Sequence, residues 1–417
     1  MGYALIPTIG IAVAPVDRQA GPSAGPGASG NRCIYFGANS GFNCSPNDTI
    51  AIGNNALGGG MTDITNWNGG VIIGSSAAAA AQSCGTAFGV PGGMVVIGYN
   101  ALPLNVRGNS SVIIGNRALL NALAIGNSTP LANNVVIGHE AAYQVTLNNA
   151  GVRAGDYTNN VVVGYRAGNV PPTNSGINQS VCIGSGALSV VGGTEIYGMV
   201  CIGYNAGVNY NGNGVGNSNC VIIGQGAGPS QTNANQVIIG GTANSTQTGN
   251  TSDCVAIGYT AQSALFNVAL GSNASASPGV AGGAAPSVVI GYTSGSGTGI
   301  GRGVTFLGGN INSTNAQNRS ILIGCGNKGF AADDIFLVET FDSATRRTAL
   351  IADMNAGNVI LGKSTTGTDR DFNGTNTLKL INGTVGGNPV GGGYFYVSAG
   401  ALHWKGSAGT DTTIAPA

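Results

Sequence analysis

The chain has 417 residues, of which 74 are glycine, 7% are charged and 6% are aromatic, and its 15 basic side chains balance 15 acidic ones. That composition departs from an ordinary mixed domain and fits repetitive β architecture. A formal net charge of zero leaves no electrostatic footprint for nucleic acid or an anionic membrane surface, so neither is an expected partner.

Residues 1–31 carry no repeat. Met1 to Ala14 is apolar without the basic flank of a secretory signal, and Gly21-Pro22-Ser23-Ala24-Gly25-Pro26-Gly27 reads as extended chain. The segment is expected to be an attachment arm whose Leu5, Ile6, Ile9 and Ile11 dock onto another protein. No run approaches the roughly 20 apolar residues of a membrane helix, so no membrane insertion is expected.

From Ile34 to Gly324 one phrase returns, seen clearly at Ser111-Val112-Ile113-Ile114-Gly115-Asn116-Arg117-Ala118-Leu119. Its turn glycines are Gly37, Gly53, Gly74, Gly98, Gly115, Gly126, Gly138, Gly164, Gly184, Gly203, Gly224, Gly240, Gly258, Gly271, Gly291, Gly308 and Gly324, about seventeen copies. Such self-similarity means stacked repeats. β-Branched residues before a glycine free to take positive φ predict a short strand closed by a turn.

Alternation places Val112 and Ile114 on one face of that strand and Ile113 on the other. Both faces are apolar in most copies, as in a parallel sheet covered on two sides. Stacked copies fill one face. With no long amphipathic helix and no second strand family visible, the other face calls for a second copy of the chain, in a number the periodicity leaves open. Ile223 is an expected core residue of its copy and Asn213 an expected loop residue.

The longer spacings between glycines predict excursions from the coil, on the surface where solenoids bind ligands. These stretches hold Trp67, Tyr143, Tyr157, Tyr204 and Tyr210, the candidate receptor-facing residues. Tyrosine also recurs directly after the turn glycine, at Tyr99, Tyr165, Tyr204, Tyr259 and Tyr292. In register these would form an interrupted aromatic stripe, either packing over the turns or offered to a glycan.

Past Gly324 the repeat decays and charge concentrates. Strands are expected around Asp334–Glu339, Thr348–Ala352, Asn358–Gly362 and Thr377–Ile381, with a last hairpin pairing Tyr394–Val397 with Ala401–Lys405 across Ser398-Ala399-Gly400. The reading is thus an arm over 1–31, a repeat shaft over 32–330 and a C-terminal β domain over 331–417.

The phrase at Val255-Ala256-Ile257-Gly258-Tyr259-Thr260-Ala261 and Ile50-Ala51-Ile52-Gly53-Asn54-Asn55-Ala56 resembles the head repeats of YadA-like trimeric adhesins. That resemblance covers roughly residues 34–324. It implies a homotrimeric, left-handed parallel β-roll, although repeats in that family are more uniform in length. The ending, Gly392 to Ala417, looks like the C-termini of bacteriophage fibre and appendage proteins. Together they point to a virion fibre, assembled in the host cytoplasm, joined through residues 1–31 to another virion protein, and adsorbing to a host surface glycan or protein. The alternatives are a head or neck decoration fibre without receptor binding and a bacterial trimeric surface adhesin.

Catalysis is not expected. Glycoside hydrolysis needs two carboxylates about 5 to 9.5 Å apart, whereas Asp63, Glu140, Asp156, Glu195 and Asp253 fall singly in loops. His139 and His403 are the only histidines, and no two cysteines are spaced as C-x-x-C, so no triad, metal site or cofactor is predicted. Cys182 and Cys201, at the same strand position of successive copies, are expected to be buried thiols.

Overall fold

The computed structural model describes residues 18–20, 32–41, 48–58, 69–79, 83–84, 93–102, 107–120, 123–124, 131–143, 146–147, 157–169, 177–189, 196–210, 219–229, 235–244, 253–264, 266–276, 286–295, 303–311, 319–325, 335–342, 345–353, 358–361, 378–380 and 393–415. Among these every regular element is a strand, and the fold is an all-β parallel solenoid. It divides into two compact units, Met1–Asn219 and Cys220–Ala417.

In the first unit the phrase strands stack in parallel and in register. Val112–Ile114 lies between Val95–Ile97 and Val135–Ile137, pairing residue for residue with both. The turns continue the ladder: Gly115 N donates to the Ile97 carbonyl at 2.8 Å and Arg117 N to that of Tyr99 at 2.9 Å. The nine rungs of this unit carry Gly37, Gly53, Gly74, Gly98, Gly115, Gly138, Gly164, Gly184 and Gly203. Arg18–Ala20, within the expected arm, adds a further parallel strand against Ile34–Phe36.

The direct pairing of Val112–Ile114 with Val135–Ile137 corrects the repeat count. Leu123–Ala124, before Gly126, leaves the column and pairs instead with Thr146–Leu147. No rung therefore stands between those of Gly115 and Gly138, and Gly126 itself lies outside the described residues.

A second strand family also exists. Ser83–Cys84, Arg107–Asn109, Leu131–Ala132, Tyr157–Thr158, Ile177–Asn178 and Ile196–Tyr197 form a six-stranded parallel sheet, and in its later rungs each strand runs into the phrase strand through a sharp corner. Corner residues such as Asn133, Asn159 and Gln179 take φ of 56, 58 and 52°, a left-handed conformation that Asn tolerates well. Part of each long spacing is thus wall rather than bulge. Periodicity hid it because these strands are two or three residues long and vary in sequence.

With two walls, each coil closes its own interior. The middle residue of the phrase points inward: Ile72, Val96, Ile113, Val136, Val162, Cys182 and Cys201 are all fully buried, as are the alanines Ala118, Ala141, Ala167 and Ala187 three residues past the glycine. The second wall contributes Leu131, Tyr157, Ile177 and Ile196, also at 0% exposure. Cys182 faces Cys201 in register, and burial pushes the Cys182 thiol up to about 12.

A buried polar ladder runs beside this core. Asn134 Nδ2 donates to the Tyr157 carbonyl at 2.7 Å while Asn134 Oδ1 accepts from Asn160 N at 3.0 Å; Asn160 repeats the pattern, donating to Ile177 O at 2.6 Å and accepting from Ser180 N at 3.0 Å. Each amide so satisfies backbone groups at the corner, where no strand partner can.

The second unit repeats the phrase column on Gly224, Gly240, Gly258, Gly271, Gly291, Gly308 and Gly324, with a short parallel pair, Gln262–Ser263 on Ser275–Ala276, directly after two of its turns. Ile335–Asp342 then stacks in parallel on Ile321–Cys325, and the chain turns back through the antiparallel strands Thr345–Asp353 and Asn358–Leu361. One apolar cluster runs from Ala269 through Phe306 and Leu322 to Leu337 and Ile351, so core packing is continuous across the boundary expected near 331.

The last residues form a small antiparallel sheet. Gly393–Ser398 pairs with Ala401–Gly406 as expected, but around a two-residue turn, Ala399 and Gly400 at φ 48 and 83°, because Ser398 pairs with Ala401 instead of joining the turn. Asp411–Ala415, beyond the expected hairpin, adds a third strand.

Candidate functional site

What each rung offers outward follows from the turn. After the phrase, the glycine takes φ near +135° and the next two residues project away from the core before the buried alanine returns. The first of these positions holds the tyrosines, and all five are exposed: Tyr99 54%, Tyr165 46%, Tyr204 56%, Tyr259 63% and Tyr292 60%. They do not fold back over the turns to be covered.

On three successive rungs of the first unit the second position reads Arg117, Glu140, Arg166. Glu140 Oε1 accepts from Arg117 Nη1 at 2.9 Å and Oε2 from Arg166 Nε at 2.7 Å, with the carboxylate side chain only 5% exposed. The Arg166 hydrogen bond holds the Glu140 carboxyl below its ordinary value, overcoming the upward push of burial. Arg117 Nη2 donates to the Tyr143 hydroxyl at 2.7 Å and its guanidinium sits 4.9 Å from that ring's centre. His139 lies parallel to Tyr165, centroids 5.5 Å apart, and Arg166 stands 5.3 Å from the same ring. Glu140 is thus fixed by two arginines on a turn, not solitary in a loop. With no second carboxylate in this cluster, the geometry offers binding surface and no acid–base pair.

The candidate receptor-facing residues separate accordingly. Tyr204 is exposed and Tyr143 half-buried against Arg117. Tyr157 and Tyr210 are corrections: at 0% and 1% exposure both point inward and face no ligand. Tyr157 belongs to the second wall that was read as excursion, and burial raises its hydroxyl well above the usual tyrosine value. Trp67 and the arm residues Leu5, Ile6, Ile9 and Ile11 lie outside the described residues.

Sequence reasoning missed the Arg117–Glu140–Arg166 set for one reason. Counting Gly126 as a rung put Arg117 and Glu140 two steps apart, whereas the true register makes them neighbours. An alternation of charge at one repeat position is the signal that would have found it.

In the C-terminal sheet, Phe395 and Trp404 meet at 4.7 Å and Tyr396 stacks on His403 at 5.0 Å, while Asp411 accepts from the Tyr396 hydroxyl and lies 3.1 Å from His403 Nδ1. Phe395 is 63% exposed. Among the described residues there is no group of His, Cys, Asp and Glu able to hold a metal ion, and no helix long and apolar enough to cross a membrane. No protein-family profile matches the chain, and no characterised protein and no solved structure matches it either.

Proposed function

We propose that this chain is the subunit of a homotrimeric, left-handed β-roll fibre of a virus particle, non-enzymatic, joined to the virion through residues 1–31 and mediating adsorption to the host surface. The observation that carries the reading is the outward face of the phrase strand. In every rung of the first unit the residues flanking the buried middle position are apolar, from Ile34 and Phe36 to Val200 and Ile202, and all remain partly exposed, Phe36 at 42% and Ile52 and Ile183 at 38%. Eighteen such side chains on nine rungs, leaving on the order of 50 Å² each, make a strip of roughly 900 Å², beyond the few hundred Å² usual on a monomer.

A strip continuous along the repeats is matched by an identical strip, which favours symmetric copies of one chain over an unrelated partner. A repetitive stack of rungs with balanced charge suits a spacer that presents surface at a distance. The virion assignment rests on the resemblance of the phrase and of the ending Gly392–Ala417.

Sedimentation of the whole chain tests the assembly, with a trimer expected and a stable monomer overturning it. Antibody raised against the chain should decorate an appendage of the particle and block adsorption; decoration without block would leave a structural fibre and remove the adsorption role.

A further inference from the structure

The small C-terminal sheet has no interior of its own. Its strands Gly393–Ser398, Ala401–Gly406 and Asp411–Ala415 pair antiparallel in that order, yet among its described side chains, residues 395–415, none is buried. Below roughly 40 residues a fold needs disulfides, metals or oligomerisation to hold itself together. Residues 393–415 contain no cysteine, and no group of metal-holding side chains occurs among the described residues. Association is the means left.

The two faces of this sheet differ in kind. Tyr396, His403 and Asp411 meet on one: the Tyr396 hydroxyl donates to Asp411, whose carboxylate lies 3.1 Å from His403 Nδ1. Lys405, in register with Asp411, belongs to the same face. Phe395 and Trp404 meet on the other, ring centroids 4.7 Å apart. Alternation adds Val397 and Leu402 to that face, and the register adds Thr412 opposite Trp404 and Ala415 opposite Leu402. His403, Lys405 and Asp411 are the only His, Lys, Arg, Asp or Glu of 393–415, so the second face carries no charge.

What covers the uncharged face follows from its chemistry. A sugar needs several polar groups to fix its orientation, and this face offers only the Thr412 hydroxyl and the Trp404 indole N–H. With Phe395 63% exposed, its side chains leave on the order of 300 Å², so three copies turned toward a common axis would bury about 1,000 Å², the threshold of a specific interface. Identical uncharged faces can meet about an axis without opposing like charges. Within the second unit the apolar outward positions also continue past the repeats. Phe336 and Val338 pair in register with the outward Ile321 and Ile323 of the last repeat, Ala352 and Leu350 pair with them in turn, and all remain partly exposed.

We propose that residues 393–415 are a self-association module: the face bearing Phe395 and Trp404 packs against the same face of the other copies, and the sheet obtains its core only in the assembly. This rests on the symmetric fibre proposed above for the number of copies.

Hydrogen exchange read by mass spectrometry, with sedimentation, on the whole chain over a range of concentrations tests it. Amides of 393–415 should exchange slowly in the oligomer and fast in the monomer, while those of the repeat strands stay protected in both. Phe395→Asp should release the 393–415 amides and raise the concentration of half-dissociation by at least about tenfold; Thr413→Asp, in register with His403 on the charged face, should do neither. Protection of the repeat strands in the same samples shows that the variants are folded. Slow exchange of 393–415 in a monomer or in Phe395→Asp overturns the module, and so does fast exchange in the parent oligomer, which would leave the face to a glycan or another protein. Ile223→Asp separates the two readings. Dissociation by Ile223→Asp and not by Phe395→Asp removes the module and leaves the fibre; dissociation by Phe395→Asp alone keeps the module and removes the outward strip as a contact.

Discussion

Replacing Gly164 by alanine should do far more damage than the same change at Gly69, although both glycines have positive φ. Gly164 sits at φ +138°, and an added Cβ would stand 2.5 Å from the Gly184 carbonyl oxygen and 2.7 Å from its carbon, where real Cβ atoms keep beyond 3.0 Å. Side chains other than hydrogen are all but excluded from that conformation, at a cost of about 1 to 3 kcal/mol. Relieving the clash means moving one rung by at least half an ångström, which lengthens the 2.8 Å bonds from Gly184 N to Val163 O and from Gly164 N to Ile137 O. Each such bond contributes about 0.5 to 1.5 kcal/mol.

The sum is about 2 to 6 kcal/mol, or roughly 4 to 24 °C in Tm for a cooperative block the size of the first unit. Gly69, by contrast, is at φ +73° with nothing within 4 Å of its Cβ position, and the same corner on other rungs is held by Arg32, Asp48 and Asn133. Gly69→Ala should cost about 1 kcal/mol, the left-handed penalty offset in part by the entropy that the unfolded chain loses with the glycine. Thermal and urea unfolding followed by circular dichroism decide it. Losses equal within about 1 kcal/mol would refute the account of the glycine column as a stack of backbones in contact.

Three further outcomes are expected. Ile222→Asp, at a fully buried position, should unfold its region by placing an unpaired charge in the interior, a loss of at least about 3 kcal/mol, whereas Ile223→Asp, partly exposed on the outward face, should leave the chain folded and shift sedimentation from oligomer to monomer. Truncating Asn134→Ala removes two buried hydrogen bonds and strands the Tyr157 carbonyl and the Asn160 amide, so a loss of about 2 to 4 kcal/mol should appear in urea unfolding, larger than for Asn116→Ala at an exposed turn position. Glu140 has a folded pKa below its ordinary 4.5, chiefly through Arg166; its stabilisation is therefore complete above the ordinary value and is lost as pH falls through the folded one. Glu140→Gln should lower the Tm of the first unit near pH 7 and converge on the parent as pH falls below about 4.5, which flattens the acid limb; an identical acid limb in both proteins would remove the argument.

The repeated phrase by itself determined the fold class. β-Branched residues, a glycine and an alanine at fixed offsets demand strand, sharp turn and close packing in that order, and any chain repeating them must stack. The two strands of the C-terminal hairpin were also legible, but the register was not, because the turn takes only Ala399 and Gly400 and leaves Ser398 paired with Ala401. Sequence also showed that both faces of the phrase strand are apolar. Which face goes inside was decided by the second wall, whose short strands at Leu131, Tyr157, Ile177 and Ile196 carry no repeating motif and close the coil around the middle residue. That closure put Tyr157 and Tyr210 inside and left Tyr204 out, and in the second unit the same inward middle position at Ile222 leaves Ile223, expected in the core, partly exposed. Register across rungs was likewise a tertiary matter. Hydrogen bonding between backbones separated by a variable excursion does not depend on excursion length, so only the folded ladder shows that Gly126 is skipped and that Arg117, Glu140 and Arg166 are neighbours.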